Sequence, residues 1–257
     1  MLTARSFDRL GDTAPCAACP LRSLPLFREN TPEEIDFIAS MRVDQVAFSV
    51  GQTILQEGER DPPLFSLFSG WAMRYKTLPE DRRQILNFLL PGDVIGFQAN
   101  MLGEAAHGVE ALTDVVLCRH SRAKIWDLYQ SHPELAFDAT WLTAKEESLV
   151  DEALLSIGRR SAAQRIAMLL VHLFRRARAY LPSSSEEIEA GILLPVTQQQ
   201  LADALGLSLV HTNKTLRRLG QAGYFHFIGQ RLHMTDLAGL EKLADYHETP
   251  QRPRPLL

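Results

Sequence analysis

Thr197-Gln198-Gln199-Gln200-Leu201-Ala202-Asp203-Ala204-Leu205-Gly206-Leu207-Ser208-Leu209-Val210-His211-Thr212-Asn213-Lys214-Thr215-Leu216-Arg217-Arg218-Leu219 is the stretch on which the reading turns. Thr197 and Gln200 have capping-box spacing, which opens a short helix. Gly206 suits the left-handed residue that closes one. Ser208 is a good N-cap for a second helix running to about Leu219. Two short helices joined by a glycine-containing turn make a helix-turn-helix.

The second helix sorts into two faces. Thr212, Leu216 and Leu219 fall inward, beside Leu205 and Leu207. Val210, His211, Asn213, Lys214, Arg217 and Arg218 fall outward. That outward set supplies amide and cationic donors for base edges, apolar contact for thymine methyls, and cations for phosphates. The N-terminal turns of such a helix enter the major groove, so Val210, His211, Asn213 and Lys214 are the candidate base readers. Arg217 and Arg218 are candidate phosphate ligands. Thr197, Gln199 and Ser208 lie at helix N-termini, where backbone N–H groups also favour phosphate. Tyr224 to Met234 reads as a β-hairpin wing around Gly229-Gln230, from which Arg231 can reach a phosphate.

Upstream, Ser161 and Gln164 open another capped helix, with Ile166, Leu169, Leu170 and Leu173 at helical spacing. Before it lies a long amphipathic stretch from about His132. Leu149, Val150, Ala153, Leu154 and Ile157 form its apolar stripe, preceded by Phe137, Trp141 and Leu142, and Gly158 ends it. Such a stripe packs on its own domain or on a second copy, and a two-helix dimer seam is expected. Residues 43–122 have a different texture. Short β-prone runs (45–50, 53–56, 64–68, 73–76, 84–89, 94–97 and 115–119) are punctuated by Gly51, Gly58, Gly70 and Pro91-Gly92-Asp93, as in a barrel, roll or sandwich. Thr31-Pro32-Glu33-Glu34 opens a helix with Ile35, Ile38 and Ala39 on one face. Residues 181–191 read as a polar loop.

The 257 residues leave room for two modest cores. Net charge is −4, yet Arg159 to Arg231 holds ten basic residues against four acidic ones, so a basic module is joined to an acidic one. No apolar run has the roughly 20 residues of a membrane span. The first residues lack the apolar core of a signal peptide, so the cytoplasm is the expected location. Three cysteines in such a chain argue against a disulfide scaffold. Paired carboxylates, nucleophile–base motifs, Walker loops and zinc-ligand spacings are missing, so an enzyme is the weakest reading, and His107, His120 and His172 read as ordinary histidines.

In this order the chain resembles the Crp/Fnr family over nearly residues 14–246, with Leu205 to Leu219 close to the family's recognition region. The resemblance implies an α+β fold: an N-terminal β-roll (double-stranded jelly-roll) sensor domain, a long dimerisation helix and a C-terminal winged helix-turn-helix. The corresponding divisions are an N-terminal extension with a CxxC at 1–30, the cyclic-nucleotide-binding-like roll at 31–131, the dimerisation helix at 132–158, the DNA-binding domain at 159–247 and a disordered tail at 248–257. It implies a transcription regulator, activator or repressor, that binds a palindromic operator as a homodimer. Double-stranded DNA and a second copy are the partners, with RNA polymerase added if it activates. Val210 stands where many members carry a base-reading Glu, and Lys214 where they carry Arg. Lys is not a bidentate substitute, so the site read differs from the usual Crp or Fnr half-site. The branch with Val-His-x-Asn-Arg at this place is the better match.

Two sensor chemistries follow from the same resemblance. Cyclic-nucleotide members hold ribose with Glu after a glycine and phosphate with Arg. Here the turn is Gly96-Phe97-Gln98, and His107-Gly108 stands about where the Arg belongs. A buried phosphate without its cation is costly, so cyclic AMP is not the expected signal. Fnr members hold an iron–sulfur cluster on four cysteines. Cys16, Cys19 and Cys118 match three of these positions, and Pro25 or a neighbouring leucine stands at the fourth. A three-cysteine cluster, a thiol switch between Cys16 and Cys19, and a purely structural Cys118 all remain open. The remaining alternative is a ligand-binding adaptor whose last module contacts protein instead of DNA.

Overall fold

The computed structural model describes residues 8–9, 15–181, 191–247 and 253–257. They fall into two compact units: residues 1–79, 87–147 and 252–257, and residues 80–86 and 148–251.

The first unit is a β-roll with a helical cover. Strand β1 is Asp8–Arg9. Helix α1, Pro32–Met41, starts at the expected capping box: the Thr31 hydroxyl accepts from the Glu34 N–H, and the Glu34 carboxylate accepts from the Thr31 N–H. Strands β2 (Arg42–Phe48), β3 (Thr53–Leu55), β4 (Leu64–Ser69), β5 (Ala72–Thr77), β6 (Arg83–Leu89, of which only residues from Asn87 on are counted in this unit) and β7 (Val94–Ile95) follow. Helix α2 is Phe97–Leu102, then come β8 (Gly108–Ala111), β9 (Val115–His120) and helix α3 (Lys124–Ser131). One sheet has the order β1-β2-β9-β4-β7 and the other β3-β8-β5-β6. Both sheets supply the core of Val46, Phe48, Leu55, Phe65, Leu67, Val109 and Leu117, with Phe48 edge-on to Phe65 at 6.4 Å. Each such side chain contributes about 1.5–3 kcal/mol on burial. The roll is therefore the expected one, with corrections at its edges. Val94–Phe97 is not one strand: Gly96 takes φ 87° and turns the chain into α2, where any Cβ would meet the Pro63 carbonyl at 2.4 Å.

Helix α4 runs from Pro133 to Arg159, starting in the first unit and ending in the second. It ends one residue beyond Gly158, close to the expected end. The glycine sits in the last turn, where its helix cost of about 1 kcal/mol is easily borne. At its first turns Asp138 receives Arg28 Nε at 2.6 Å, and Arg28 Nη2 also pairs with Glu34 at 2.9 Å, tying the N-terminal extension to α1 and α4. Burial opposes the Arg28 charge, but these two carboxylates hold its pKa above the ordinary value.

The second unit carries α5 (Ala162–Arg178), capped by Ser161 and Gln164 as expected, then β10 (Ile192–Leu193), α6 (Gln198–Leu205), α7 (Leu209–Gln221), β11 (Phe225–Ile228), β12 (Arg231–Met234) and α8 (Leu237–Ala244). The three strands pair in the order β10-β12-β11. Most of the expected loop at 181–191 lies outside the described residues. So do residues 248–252 of the expected disordered tail. Residues 253–257 correct that expectation: Leu256 is only 4% exposed, and the segment belongs to the first unit. No helix among the described residues is long and apolar enough to cross a membrane.

Candidate nucleic-acid interface

The helix-turn-helix forms as the sequence dictates. The Thr197 hydroxyl accepts from the Gln200 N–H at 3.2 Å, and Gln200 Oε1 accepts from the Thr197 N–H at 2.8 Å. Gly206 adopts φ 62°, ψ 38° and ends α6. Ser208 then caps α7, its hydroxyl accepting from the His211 N–H at 3.2 Å. Thr212, Leu216 and Leu219 are buried as expected, and so is Thr215, which the face assignment had left aside. Leu205 is buried and Leu207 half-buried.

Val210, at 78% exposure, shares the open side of α7 with His211, Lys214, Arg217 and Arg218, all exposed. Asn213 is half-buried, and its Oδ1 is enclosed without a hydrogen-bond partner. It lies one helical turn from buried Leu216, so it sits at the border of the open face. Gln199 donates to Asp203 at 2.7 Å, which sets a carboxylate beside that amide. On the wing, β11 and β12 pair from Phe225↔Met234 to Ile228↔Arg231, and Gly229 turns at φ 58°. Arg231 is exposed, but one of its nitrogens already donates to the Gly191 carbonyl at 2.7 Å. Phe227 and Ile228 leave apolar surface on the same hairpin.

Two family models match, the cyclic nucleotide-binding domain at residues 45–132 and the Crp-like helix-turn-helix domain at residues 164–243. The chain is 30% identical to the nitrogen fixation regulation protein FixK of Bradyrhizobium diazoefficiens over 78% of its length and 81% of that protein. It is 28% identical to the transcriptional activator protein FnrL of Cereibacter sphaeroides over 88% of its length and 90% of that protein. The solved structure of FixK2 from Bradyrhizobium japonicum superposes with TM-score 0.69 and 25% identity, covering 77% of this chain and 96% of that one. The chain belongs to the Crp/Fnr family. It is a DNA-binding transcription regulator of the Crp/Fnr type, not an enzyme.

The β-roll of this Crp/Fnr protein places its residues by strand register. Gln45 on β2, Cys118 on β9 and Ser66 on β4 are cross-strand partners and form one row; beyond the row of Asp44, Arg119 and Phe65, Arg42, His120 and Leu64 form another. Gln45 donates to the Cys118 sulfur at 3.2 Å, and burial pushes the Cys118 thiol pKa up. Ser66 Oγ lies 2.9 Å from His120 Nε2. Burial, and then the charge of Arg42, push the His120 pKa down to about 4. Cys16 and Cys19, at the 3-10 turn Cys16–Ala18, line one cavity with Cys118 and His120; it holds about 480 Å³ of atom-free space, part of it open to solvent. Elsewhere in the roll, burial, then Arg74 and Lys76, push buried His107 down to about 3. Arg74 itself is buried and pairs with Glu146 at 2.7 Å. The sequence reading had missed this cation because Arg74 lies more than thirty residues from His107 in the chain.

A four-thiolate cluster does not fit this arrangement. The chain has three cysteines, and among the described residues no group of three or more His, Cys, Asp or Glu is placed to hold a metal. Leu256 and Leu257 line the same cavity as the thiols.

The dimerisation candidates divide. On α4, Val150 is exposed and Leu154 is 70% exposed, joined by exposed Phe137 and Leu155, whereas Trp141, Leu142, Leu149, Ala153 and Ile157 are half-buried.

Proposed function

We propose that the protein binds a two-fold symmetric operator as a homodimer, reading base edges in successive major grooves with Val210, His211, Asn213 and Lys214. Arg217, Arg218, Thr197, Gln199, Ser208 and Arg231 contact phosphate and sugar. The observation that carries this reading is the open face of α7: three cations and a histidine around an apolar Val210, on a helix whose other face is buried. The exposed Val150 and Leu154 on α4 support pairing with a second copy. The two copies set half-site centres about one helical turn apart. Titration of duplex DNA at several salt concentrations tests this directly. Steep loss of affinity with salt, for a particle of two chains and one duplex, is expected; salt-independent or absent binding overturns it.

The signal we propose for the roll is not cyclic AMP. Phe97 and Gln98 begin α2 where a ribose-binding Glu would stand, and Arg74 beside His107 is already paired with Glu146. Calorimetric titration with cyclic AMP is expected to show no binding. A second reading, redox sensing through Cys16, Cys19 and Cys118, is favoured by one observation: all three line a single cavity. A disulfide found by mass spectrometry after mild oxidation, with changed DNA affinity, supports it; three free thiols and unchanged affinity remove it.

A further inference from the structure

Residues 253–257 seat on the roll through backbone, charge and apolar contacts together. The Arg254 N–H donates to the Leu26 carbonyl at 2.8 Å, and the Arg28 N–H donates to the Arg254 carbonyl at 2.9 Å, so the segment lies as a parallel bridge beside Phe27. The Arg254 guanidinium donates to Asp93 at 2.6 Å and to the Gly92 carbonyl at 3.2 Å, with its carbon 5.5 Å from the centre of the Phe27 ring. Both partners of this ion pair are nearly buried. Such charge-assisted bonds in a shielded site are the strong kind. Two residues on, Leu256 is almost fully buried. Leu257 packs on the cluster of Cys16, Ile38, Met41 and Leu128 and accepts a hydrogen bond from Ser66 at 2.9 Å.

The alternation explains the fit. An extended peptide can offer backbone bonds at one edge and alternate side chains to pockets. Here Arg254 takes a polar pocket made by Asp93 and Gly92, and Leu256 takes the apolar end, where a Cβ on Gly92 would lie 3.3 Å from its Cδ1. Leu256 and Leu257 then stand in the wall of the cavity shared by Cys16, Cys19 and Cys118.

We propose that the groove beside this cavity, formed by Leu26, Phe27, Gly92, Asp93 and Ser66, is a peptide-binding site whose resident occupant is the chain's own Arg254-Pro255-Leu256-Leu257 segment, and that the seated segment, as one wall of the cavity, limits access to the thiols, buried Cys16 above all. The site selects an extended peptide with a cation two residues before a buried leucine. A competing peptide of that chemistry displaces the segment and opens the cavity. The inference goes beyond DNA reading and does not require that the thiols be oxidised.

The test is the rate at which a maleimide labels each cysteine, resolved by mass spectrometry. It compares the full chain, the full chain carrying Leu256→Asp, and a chain ending at residue 252. Labelling of Cys16 is expected to rise about tenfold or more in both variants. An excess of a synthetic peptide with the sequence of residues 253–257 is expected to restore protection to the shortened chain. Equal Cys16 rates in the full chain and the Leu256→Asp variant overturn the proposal. Faster labelling that the peptide does not reverse, in a shortened chain whose circular dichroism matches the full one, overturns it as well. If the shortened chain loses its folded spectrum, the point variant decides. DNA affinity measured beside the labelling separates this site from the helix-turn-helix, since the peptide leaves the α7 face untouched.

Discussion

Arg165 on α5 donates through Nη1 to the carbonyl of Leu205 at 3.1 Å, and through Nε to the carbonyl of Arg160 at 2.9 Å. The first bond satisfies a carbonyl that the end of α6 leaves without a helical partner. It also fixes the first helix of the reading pair to α5, so the angle of the turn at Gly206 is held from outside the motif.

Removing that brace has a defined cost. Arg165→Ala is expected to lower the stability of the DNA-binding unit by about 1.5–3 kcal/mol, the usual scale for a hydrogen bond to a charged group. Urea denaturation followed by circular dichroism measures it. Unchanged stability means that water replaces the guanidinium without loss.

Lys214 and Arg217 are expected to fail differently. Lys214→Ala weakens binding to the preferred operator by about 1–3 kcal/mol and relaxes one base position. Arg217→Ala weakens binding to all sequences alike and lowers the salt slope by about 1. Mobility shifts on specific and scrambled duplexes at several salt concentrations separate the two roles. Equal losses on both duplexes for Lys214→Ala remove it from the base readers.

The roll loses stability in acid. His120 is held down at about 4 by burial and then Arg42, and His107 at about 3 by burial, then Arg74 and Lys76, against an ordinary 6.5. The unfolded chain takes up protons that the folded chain refuses, so stability rises with pH between these limits. It is complete above about pH 6.5 and declines as pH falls toward 4. Denaturation midpoints at about pH 7.5 and 5 check this, and His120→Gln flattens the decline. A midpoint independent of pH contradicts the burial of these rings as neutral groups.

The α4 seam is tested by charge. Leu154→Glu is expected to weaken self-association by about tenfold or more, and operator binding with it, because a carboxylate enters an apolar contact. Sedimentation at several concentrations measures the shift. Dimers that persist unchanged move the seam elsewhere.

Local rules carried much of this fold. The three capping boxes at Thr31, Ser161 and Thr197 were legible because each is closed by residues three apart. The buried face of α7 followed from helical spacing, though the border residue Asn213 did not. Strand β8 was not legible, since Gly108-Val109-Glu110-Ala111 is short and weakly β-prone, and its pairing with β5 supplies the order. Phe97 looked like the end of a strand because only the close approach of Gly96 to Pro63 reveals the turn. The seating of Arg254-Pro255-Leu256-Leu257 had no local signal at all. Its partners Asp93, Ser66 and Leu26 lie more than 150 residues away in the chain.

Selection of bound sequences from random duplex DNA, by the full chain and by Lys214→Ala, tests the central claim most directly. The account predicts a two-fold symmetric site with half-site centres about 10 base pairs apart, and one relaxed position per half-site in the variant. An asymmetric site, no enrichment, or an identical motif for both proteins contradicts it.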